Sequence, residues 1–584
     1  MSKGVHVAHN KLEASPQDQR GQGGHGAIPL SAGMLLVTLG VVYGDIGTSP
    51  MYTIKSIVAN NGGIGTVSED MILGALSLVI WTMTLVTTVK YVVIAMKADN
   101  HNEGGIFALF SLVRKVAPWL ILPAMIGGAA LLADGILTPA VTVTTAIEGL
   151  RTIEWGHALL GDGQTNVIII TIIIICGLFA MQRAGTSSIG KLFGPLMTLW
   201  FLFLAGAGLF NMLGNLSILR ALNPIRGIMF LFSPINHSGI MVLGFVFLST
   251  TGAEALYSDM GHVGKANIYA SWPFVKAALI LNYLGQGAWL LANNSNPQML
   301  AMDIVNPFYM MLPEPLRPFA IVLSAVAAII ASQALITGSF SLVSEATRLN
   351  LMPHLRIHYP SDTKGQLYIP LVNNIMWVGC IFIVLLFQNS ERMESAYGLA
   401  ITVTMLMTTT LLTSYIAGIL KHKLGACVFA LLFGAIELCF FASCLTMFFD
   451  GGYVMIFLAA LLFGLMYVWR RGTAIERPSP STSISSTACA TTRPIPCSPT
   501  IWYFSPTAPT RSRSTATCST PSWTSTPSAP RHIGSLTYTL PTNPIRTSIP
   551  SRPLARTFCS ACAWTWALRS TSASTPICVR SLAT

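Results

Sequence analysis

Residues 40–50 read Gly-Val-Val-Tyr-Gly-Asp-Ile-Gly-Thr-Ser-Pro, and residues 249–262 read Ser-Thr-Thr-Gly-Ala-Glu-Ala-Leu-Tyr-Ser-Asp-Met-Gly-His. Each stretch interrupts a long apolar segment with glycine and carries a carboxylate, Asp45 or Glu254, at the interruption. Lipid tolerates neither an open backbone nor a bare charge unless both line a cavity enclosed by protein. Two such breaks in matching halves of a chain are typical of a transporter's binding site. We therefore interpret the chain as a carrier of a small cation.

The composition is that of a membrane protein. Of the 584 residues, 52% are hydrophobic and 10% are charged, and the mean hydropathy is +0.61, whereas soluble domains have about a quarter of their residues charged. The formal net charge is +12, but residues 477–584 contain ten arginines and no Asp, Glu or Lys. The first 476 residues carry 24 basic and 22 acidic side chains, a net charge of +2. The basic balance therefore belongs to the tail, and we expect no nucleic-acid partner.

Apolar runs long enough to cross a bilayer, which needs about 20 helical residues, predict an all-α polytopic membrane protein with about twelve transmembrane helices. Helices 1 and 6 are predicted to be discontinuous because they contain the two breaks. We expect a re-entrant piece, if there is one, in the run 317–345. The predicted spans are 31–56, 70–96, 118–147, 166–182, 192–212, 239–258, 274–293, 317–345, 369–388, 396–419, 424–449 and 452–469.

The distribution of Lys and Arg predicts that both termini are cytoplasmic. Residues 1–30 are polar and lack the apolar core of a signal peptide, so we expect a cytoplasmic N-terminal tail before a transporter domain at 31–471. With this orientation, sixteen basic residues fall in the N-terminal tail and the inner loops and five in the outer loops. Cytoplasmic loops retain positive charge. The expected location is the cell (inner) membrane.

The C-terminal tail, residues 472–584, has a different character. From residue 477 onward it is rich in Ser, Thr, Pro and Arg, and it holds six of the eleven cysteines. Such a stretch cannot bury enough apolar surface to offset chain entropy, so we expect disorder. Because more than a hundred residues contain no Asp, Glu or Lys, one interpretation is that the tail is an out-of-frame (frameshift) product.

The first break supplies oxygen atoms. Its glycines permit unusual backbone angles and Pro50 removes a hydrogen-bond donor, so we expect freed carbonyls to serve as cation ligands. Asp45, Thr48, Ser49 and Tyr52 offer side-chain oxygens nearby, and a monovalent cation prefers several oxygen ligands. An alternative stays open, in which the break is a packing kink with Asp45 salt-bridged to a residue such as Lys90.

The third span carries a polar stripe. Asp134, Thr138 and Thr142 recur at intervals of four residues and therefore share one helix face. They present a carboxylate and two hydroxyls to a single path through the membrane. The alternative for the two hydroxyls is a hydrogen bond to the carbonyl one turn earlier in the same helix.

The second break adds a third carboxylate within the membrane. Glu254 follows Thr250 and Thr251, and Asp259 and His262 lie near the predicted inner end. Either a bound cation or protons must neutralise carboxylates without an equivalent number of lysines, because burial disfavours the charged form. This dual use is a physical basis for proton coupling. Its candidates are Asp134, Glu254 and Asp45.

The sequence resembles the KUP/HAK/KT family of potassium uptake carriers from about residue 31 to 471. The motifs that carry the resemblance are residues 40–50, Lys-Ala-Asp-Asn-His-Asn-Glu-Gly-Gly-Ile at 97–106, Thr-Pro at 138–139, residues 251–262, Leu-Asn-Tyr-Leu-Gly-Gln-Gly at 281–287 and Ala-Ser-Gln-Ala at 331–334. The resemblance implies secondary active potassium uptake, generally as potassium–proton symport by alternating access. It also implies a LeuT/APC-like scaffold, in which helices 1–5 and 6–10 form a 5+5 inverted repeat and two helices are additional.

The resemblance also implies the site residues. Asp134 stands where many bacterial members have glutamate, so its part in the proton step is less secure. The usual cytoplasmic domain after the last span has no counterpart in residues 472–584. The potassium-binding positions carried over are Asp45, Tyr52, Asp134, Thr138, Thr142, Thr251 and Glu254.

Other functions fit the sequence less well. An amino acid or polyamine carrier on the same scaffold is the nearest alternative, but Asp45 would repel a substrate carboxylate. No Thr-Val-Gly-Tyr-Gly channel filter and no zinc, nucleophile or P-loop signature occurs, so we expect neither an enzyme nor a cofactor. Residues 97–106 are interpreted as an inner-loop gate or hinge, with an ordinary solvated loop as the alternative. The expected partners are potassium, with rubidium and caesium as further cations, and the lipid bilayer; a homodimer stays open.

Overall fold

The computed structural model describes residues 28–161, 163–184, 187–300, 305–359 and 367–476, together with 516–518 and 536–538. The chain divides into two compact units, Met1–Arg477 and Pro478–Thr584. Residues 1–27 and most of the predicted tail at 472–584 lie outside the described residues. The predictions of disorder and of a frameshift therefore remain predictions.

The all-α membrane fold is confirmed. Among the described residues, ten helices are long and apolar enough to cross a membrane, and two bent helix pairs raise the number to as many as twelve. We number these spans 1 to 12 in chain order. They are Ala32–Val41 with Gly44–Asn60, Glu69–Lys97, Pro118–Thr152, Glu154–Leu160 with Thr165–Met181, Leu192–Gly214, Gly239–Ser258, Lys265–Asn293, Glu314–Arg348, Pro370–Phe387, Ser390–Gly418, Lys423–Thr446 and Phe448–Ile475.

Short helices connect the spans in the first unit, and two strands lie in the second. The additional helices are Ile64–Thr66, Ile106–Val113, Gln182–Ala184, Leu216–Leu222, Pro224–Leu231, Met260–Val263, Pro297–Leu300 and Pro307–Met310. In the second unit, Ala516–Cys518 pairs antiparallel with Leu536–Tyr538. These two strands were not predicted, since the tail sequence has no strand periodicity.

Span 8 differs from its prediction. Arg317–Arg348 is one continuous α-helix, and it contains no re-entrant piece. Its buried hydroxyl groups find hydrogen-bond partners in the same helix. Ser332 and Ser339 donate to the carbonyls of Ala328 and Leu335. Such bonds let a polar helix cross the membrane without unwinding.

Spans 1 and 6 are discontinuous, as predicted. In span 1, the two helical segments are bent by 65°, and Tyr43 between them has non-helical angles of φ −102° and ψ 14°. In span 6, Thr251 is extended at ψ 144° and Gly252 is left-handed at φ 82°. Glycine adopts this left-handed conformation without the steric cost that a Cβ would add. Both spans therefore contain a non-helical interruption.

Candidate functional site

The two breaks touch each other. A Cβ atom at Gly252 would lie 3.0 Å from the Ile46 nitrogen and 3.1 Å from Asp45 Cβ. Glycine at 252 thus serves two purposes, since it permits the left-handed turn and leaves room for span 1. The fold therefore brings the two broken segments, which are about 200 residues apart in sequence, to one place.

Asp45 lies in a group of oxygen atoms from three spans, which we call the Asp45 group. The Tyr397 hydroxyl lies 3.1 Å from both carboxylate oxygens of Asp45 and donates to them. The same hydroxyl accepts from Thr138 Oγ1 at 3.0 Å. The charge of Asp45 acts electrostatically on the carboxyl group of Asp134. Tyr397 of span 10 thus joins Asp45 of span 1 to Thr138 of span 3, and Thr138 Oγ1 also lies 3.0 Å from the Asp134 carbonyl.

Asp134 has unused ligand capacity. Its side chain is 4% exposed, and its Oδ1 atom has no hydrogen-bond donor among the described residues. Buried carboxylate oxygens are normally hydrogen-bonded or paired with a charge. An orphaned oxygen beside Asp45 is the feature expected of an ion ligand.

The remaining predicted hydroxyls, those of Tyr52, Thr251 and Thr142, differ in their hydrogen-bond partners. Tyr52 lies with its hydroxyl 3.2 Å from Thr251 Oγ1, so each break contributes one member of this pair. Thr142 donates to the Thr138 carbonyl at 2.8 Å and lies 3.5 Å from Ser332 Oγ. The alternative of a bond within the helix therefore holds for Thr142, and it holds for Thr138 as well, whose Oγ1 lies 3.0 Å from the Asp134 carbonyl. Its lone pairs remain available as acceptors.

The carbonyl oxygens of the first break have hydrogen-bond partners in the structure. Three of its carbonyls accept hydrogen bonds from side chains elsewhere in the chain. The pairs are Gly47 with Trp200 at 2.9 Å, Pro50 with Gln286 at 2.9 Å and Met51 with Asn306 at 3.2 Å. The Thr48 and Ser49 hydroxyls also donate to local carbonyls, those of Asp45 and Ile46. These carbonyls thus already accept hydrogen bonds within the protein, whereas the sequence had led us to expect them to lack partners. Their role as cation ligands remains a prediction.

Glu254 lies in a separate group. Its Oε1 atom accepts from Tyr91 and from Thr408, both at 2.6 Å, while its Oε2 atom has no partner among the described residues. Lys90 donates to the Tyr91 hydroxyl at 3.0 Å and forms a buried salt bridge of 2.5 Å with Glu437. We call these residues the Glu254 group. The alternative in which Lys90 neutralises Asp45 is therefore wrong.

A third polar cluster covers the Asp45 group on the side that is external if the N-terminus is cytoplasmic. Lys55 donates to Ser390 at 2.9 Å and lies 3.5 Å from Glu148 Oε2. Ser56 donates to Glu394. Lys55 is three residues beyond Tyr52, and Glu394 is three residues before Tyr397, so this cluster is about one helical turn from the site.

A narrow cleft approaches Asp45 from the opposite side. Its lining includes Asp45, Leu131, Ala255, Asp259 and Gly338. Ala255 and Asp259 belong to the end of span 6 and its continuation, which the positive-inside assignment places near the cytoplasm. The half-helix that carries Glu254 thus also forms a wall of this cleft.

The loop at residues 97–106 packs against the inner end of span 6. The Tyr257 hydroxyl donates to the Ala98 carbonyl at 2.6 Å, and Lys265 pairs with Asp99 at 3.1 Å. This position is compatible with the predicted gate or hinge, which remains a prediction.

His262 lies outside the spans, in the short helix that follows span 6. Its Nδ1 atom is 3.7 Å from Asp259 Oδ1. Burial lowers the pKa of His262, but the hydrogen bond to Asp259 and the carboxylates of Asp259, Glu345 and Glu103 raise it, and the net shift is upward. The imidazole is therefore charged over a wider pH range than a free histidine.

Sequence reasoning missed Tyr397 and Glu437. A signal existed for Tyr397, since Glu394, Tyr397, Thr404 and Thr408 recur at helical spacing in an otherwise apolar span. Glu437 is a lone acid in span 11, and its sequence context does not indicate which lysine it pairs with. Among the described residues, no group of three or more His, Cys, Asp or Glu side chains is arranged to hold a metal ion in the manner of a transition-metal centre.

Comparison with known proteins gives a consistent result. The sequence model of the family described as "K+ potassium transporter integral membrane domain" matches residues 32–474. The chain is 58% identical to a probable potassium transport system protein Kup 1 of Lactococcus lactis over 75% of this chain and 65% of that protein. It is 54% identical to a probable Kup 2 of Bifidobacterium longum over 76% of this chain and 60% of that protein. The chain thus spans less than two thirds of the length of these relatives.

A solved structure also matches. The crystal structure of a manganese transporter of Eremococcus coleocola covers 77% of this chain and 97% of its own, with 13% identity and a TM-score of 0.45.

Proposed function

Because the chain belongs to the K+ potassium transporter family, we propose that it takes up potassium across the cell membrane by alternating access. Potassium binds at the Asp45 group, and rubidium and caesium follow the same route. Uptake is coupled to protons as symport. Both termini are cytoplasmic, and the chain acts as a carrier and not as an enzyme.

The observation that carries this proposal is the pairing of buried charges. Lys55 and Lys90, the two buried lysines of the described spans, lie beside Glu148 and Glu437. Among the described residues, no lysine or arginine forms a salt bridge with Asp45 or Asp134. Buried carboxylates must be paired, protonated or bound to a cation. The Asp45 group therefore fits a mobile cation.

The ligand set suits an alkali cation. Asp45 and Asp134 supply charge, and the hydroxyls of Tyr52, Thr138 and Thr251 supply neutral oxygens. A hydroxyl that donates its proton to a carbonyl still presents lone pairs to a cation. Several oxygens of this kind replace the hydration shell of a potassium ion. Thr142 completes the predicted set at its edge.

Energetics favour proton coupling. One charge crossing the membrane gains about 2.3 kcal/mol per 100 mV, which concentrates a lone cation roughly fiftyfold. A cation that moves with one proton gains about twice this energy, or roughly two thousandfold. The proton candidates remain Asp134, Glu254 and Asp45.

The test uses the full chain in proteoliposomes with an internal pH dye and rubidium-86 outside. We expect rubidium entry that potassium inhibits, together with internal acidification. Uptake without acidification at any pH would refute symport. Rubidium uptake that amino acids or polyamines inhibit, with potassium having no effect, would favour the alternative carrier on the same scaffold.

A further inference from the structure

The three side chains that donate to distant carbonyls of the first break come from three different elements. Trp200 lies in span 5, Gln286 in span 7 and Asn306 in the loop before span 8. Their donor atoms lie 2.9 to 3.2 Å from the carbonyl oxygens. Trp200 and Gln286 are fully buried. We call Trp200, Gln286 and Asn306 the carbonyl frame, which holds the backbone of span 1 from three directions.

Every carbonyl that the carbonyl frame holds lies between two predicted cation ligands in sequence. Asp45 stands before these carbonyls and Tyr52 stands after them. Within this segment, Ser49–Met51 forms a 3-10 helix, whose own hydrogen-bond geometry is poorer than that of an α-helix. The bonds from the carbonyl frame therefore stiffen the segment that separates Asp45 from Tyr52.

Spans 5 and 7 form a common support for two of the three donors. A Cβ atom at Gly208 of span 5 would clash with the Leu281 carbonyl of span 7, and one at Gly285 would clash with the backbone of Gly208. Small residues of this kind let two helix backbones approach closely. Asn282 of span 7 also donates to the Leu204 carbonyl of span 5 at 3.1 Å. The two helices are thus joined at the level where they hold span 1.

The side chain of Gln286 is itself held in place. Its Nε2 atom donates to Asn282 Oδ1 at 2.8 Å as well as to the Pro50 carbonyl at 2.9 Å. The hydroxyl of Tyr283, from the same span, lies 3.1 Å from Ser49 Oγ. Span 7 therefore contacts two neighbouring residues of the first break through polar groups. These bonds fix the position of the Pro50 carbonyl.

The stiffness of a site determines which alkali cation it prefers. Sodium and potassium carry the same charge, so carboxylates and hydroxyls attract both. A sodium ion is smaller, and it gains more than a potassium ion only if the ligands close around it. Oxygens that keep the spacing of a potassium ion replace the hydration shell of potassium better than that of sodium. Outer partners that hold the ligands in place supply this stiffness.

We propose that Trp200 and Gln286 are positioning residues that give the Asp45 group its preference for potassium over sodium. This inference rests on the proposed binding of potassium at the Asp45 group. Both side chains act through a backbone carbonyl of span 1, and Asn306 adds the third bond. Without these bonds, the segment between Asp45 and Tyr52 relaxes around the smaller ion, and sodium competes with potassium.

The experiment measures rubidium-86 uptake by full-length variants in proteoliposomes and its inhibition by unlabelled potassium and by sodium. The readout is the half-inhibiting concentration of sodium divided by that of potassium. Trp200→Phe and Gln286→Met each remove one donor and keep a large apolar side chain. We expect each variant to lower the ratio at least fivefold, because sodium competes better, while maximal uptake stays within threefold of wild type.

Two matched controls make the same changes at bonds that do not involve span 1. Trp81 donates to the Leu222 carbonyl at 3.0 Å, and the buried Gln182 donates to Gln333. Trp81→Phe and Gln182→Met should keep the ratio within twofold of wild type. If the two test variants lose maximal uptake and keep the ratio, their bonds are merely structural and the inference is wrong.

Asn306→Asp guards against misfolding. The Asn306 side chain accepts from the Phe308 nitrogen at 3.1 Å, and Asp keeps this helix cap while losing the donor to Met51. The added charge attracts both cations, so the ratio should still fall.

The outcomes separate this inference from the proposed function. If potassium does not inhibit rubidium uptake by wild type, the proposed function fails and this inference fails with it. If potassium inhibits and all three variants keep the wild-type ratio, this inference alone is wrong. A wild type that sodium inhibits as well as potassium would also overturn it.

Discussion

The Asp45 group and the Glu254 group are both buried, both border a helix break, and both contain a carboxylate oxygen without a donor among the described residues. They differ in their counter-charge. The Asp45 group has two carboxylates and no salt-bridged cation among the described residues, whereas the Glu254 group contains Lys90 beside Glu437. The difference lies in Lys90, which is paired with Glu437 in the Glu254 group, whereas no described lysine or arginine forms a salt bridge in the Asp45 group.

The two groups also differ in how the free-energy cost of placing charged side chains in the membrane is offset. An Asp, Lys or Arg at the centre of a spanning helix costs about 2.5 to 3.5 kcal/mol on insertion scales. The Glu254 group offsets this cost within the protein, by ion pairing and hydrogen bonds. In the proposed mechanism, the transported ion offsets this cost in the Asp45 group. Substitutions in the two groups should therefore have different consequences for stability and for transport.

The largest expected effect is on stability in the Glu254 group. Lys90→Met alone leaves Glu437 buried without its partner, and breaking such a pair costs about 3–5 kcal/mol. We expect a much lower thermal midpoint in detergent, measured by tryptophan fluorescence. The double variant Lys90→Met/Glu437→Gln should recover most of the loss. Equal midpoints for the single and double variants would show that the pair is not coupled in this way.

The next effect is on transport in the Asp45 group. Asp45→Asn keeps the shape but removes the charge, and we expect rubidium uptake to fall at least a hundredfold, or about 2.8 kcal/mol at 1.4 kcal/mol per factor of ten. Since no salt bridge is broken, the thermal midpoint should change little. Asp450→Asn, which changes an exposed acid in the first turn of span 12, is the matched control. Near-normal uptake by Asp45→Asn would remove Asp45 from the site.

Tyr397→Phe tests whether the bridge between spans 1, 3 and 10 serves the cation. The variant loses the hydroxyl that contacts both oxygens of Asp45 and Thr138. Hydrogen bonds to a charged group are worth about 1.5–3 kcal/mol, so the rubidium concentration for half-maximal uptake should rise about tenfold. Tyr467→Phe, at the end of the chain's last span, serves as the control. An unchanged half-saturation would restrict Tyr397 to a structural role.

Thr142→Val should have a small effect. Its hydroxyl is bonded within its own helix and lies 3.5 Å from Ser332, so we expect rubidium affinity to change less than threefold. Thr138→Val, which also loses the contact with Tyr397, should cost more. Equal losses in the two variants would place both hydroxyls on the cation.

The smallest effect concerns pH at the inner end of span 6. Because the folded protein raises the pKa of His262, the charged imidazole stabilises the fold below the unfolded pKa of about 6.5. This contribution is lost as the pH rises through the folded pKa. His262→Gln should therefore lower the thermal midpoint at pH 5.5 and leave it unchanged at pH 9. A larger loss at pH 9 would contradict this sign.

The fold was largely predictable because its signals are local. Apolar runs gave the spans, and glycine beside an acid gave the breaks at Tyr43 and Gly252. Two details of the structure were not predicted from the sequence. The run 317–345 was named as the place for a re-entrant piece, but it is one continuous helix whose hydroxyls bond back to their own carbonyls. The sequence did not show that carbonyls of the first break accept hydrogen bonds, because their donors, Trp200, Gln286 and Asn306, are distant in sequence.

The sequence by itself determined that this is a polytopic membrane protein with carboxylates at two helix breaks, since helix periodicity and the cost of charge in lipid depend on neighbouring residues. Only the tertiary structure decided which carboxylates have a fixed counter-charge. Tyr397 and Asp45 are 352 residues apart, and Lys90 and Glu437 are 347 apart. Electrostatic interactions depend on distance in space, and the fold alone sets that distance.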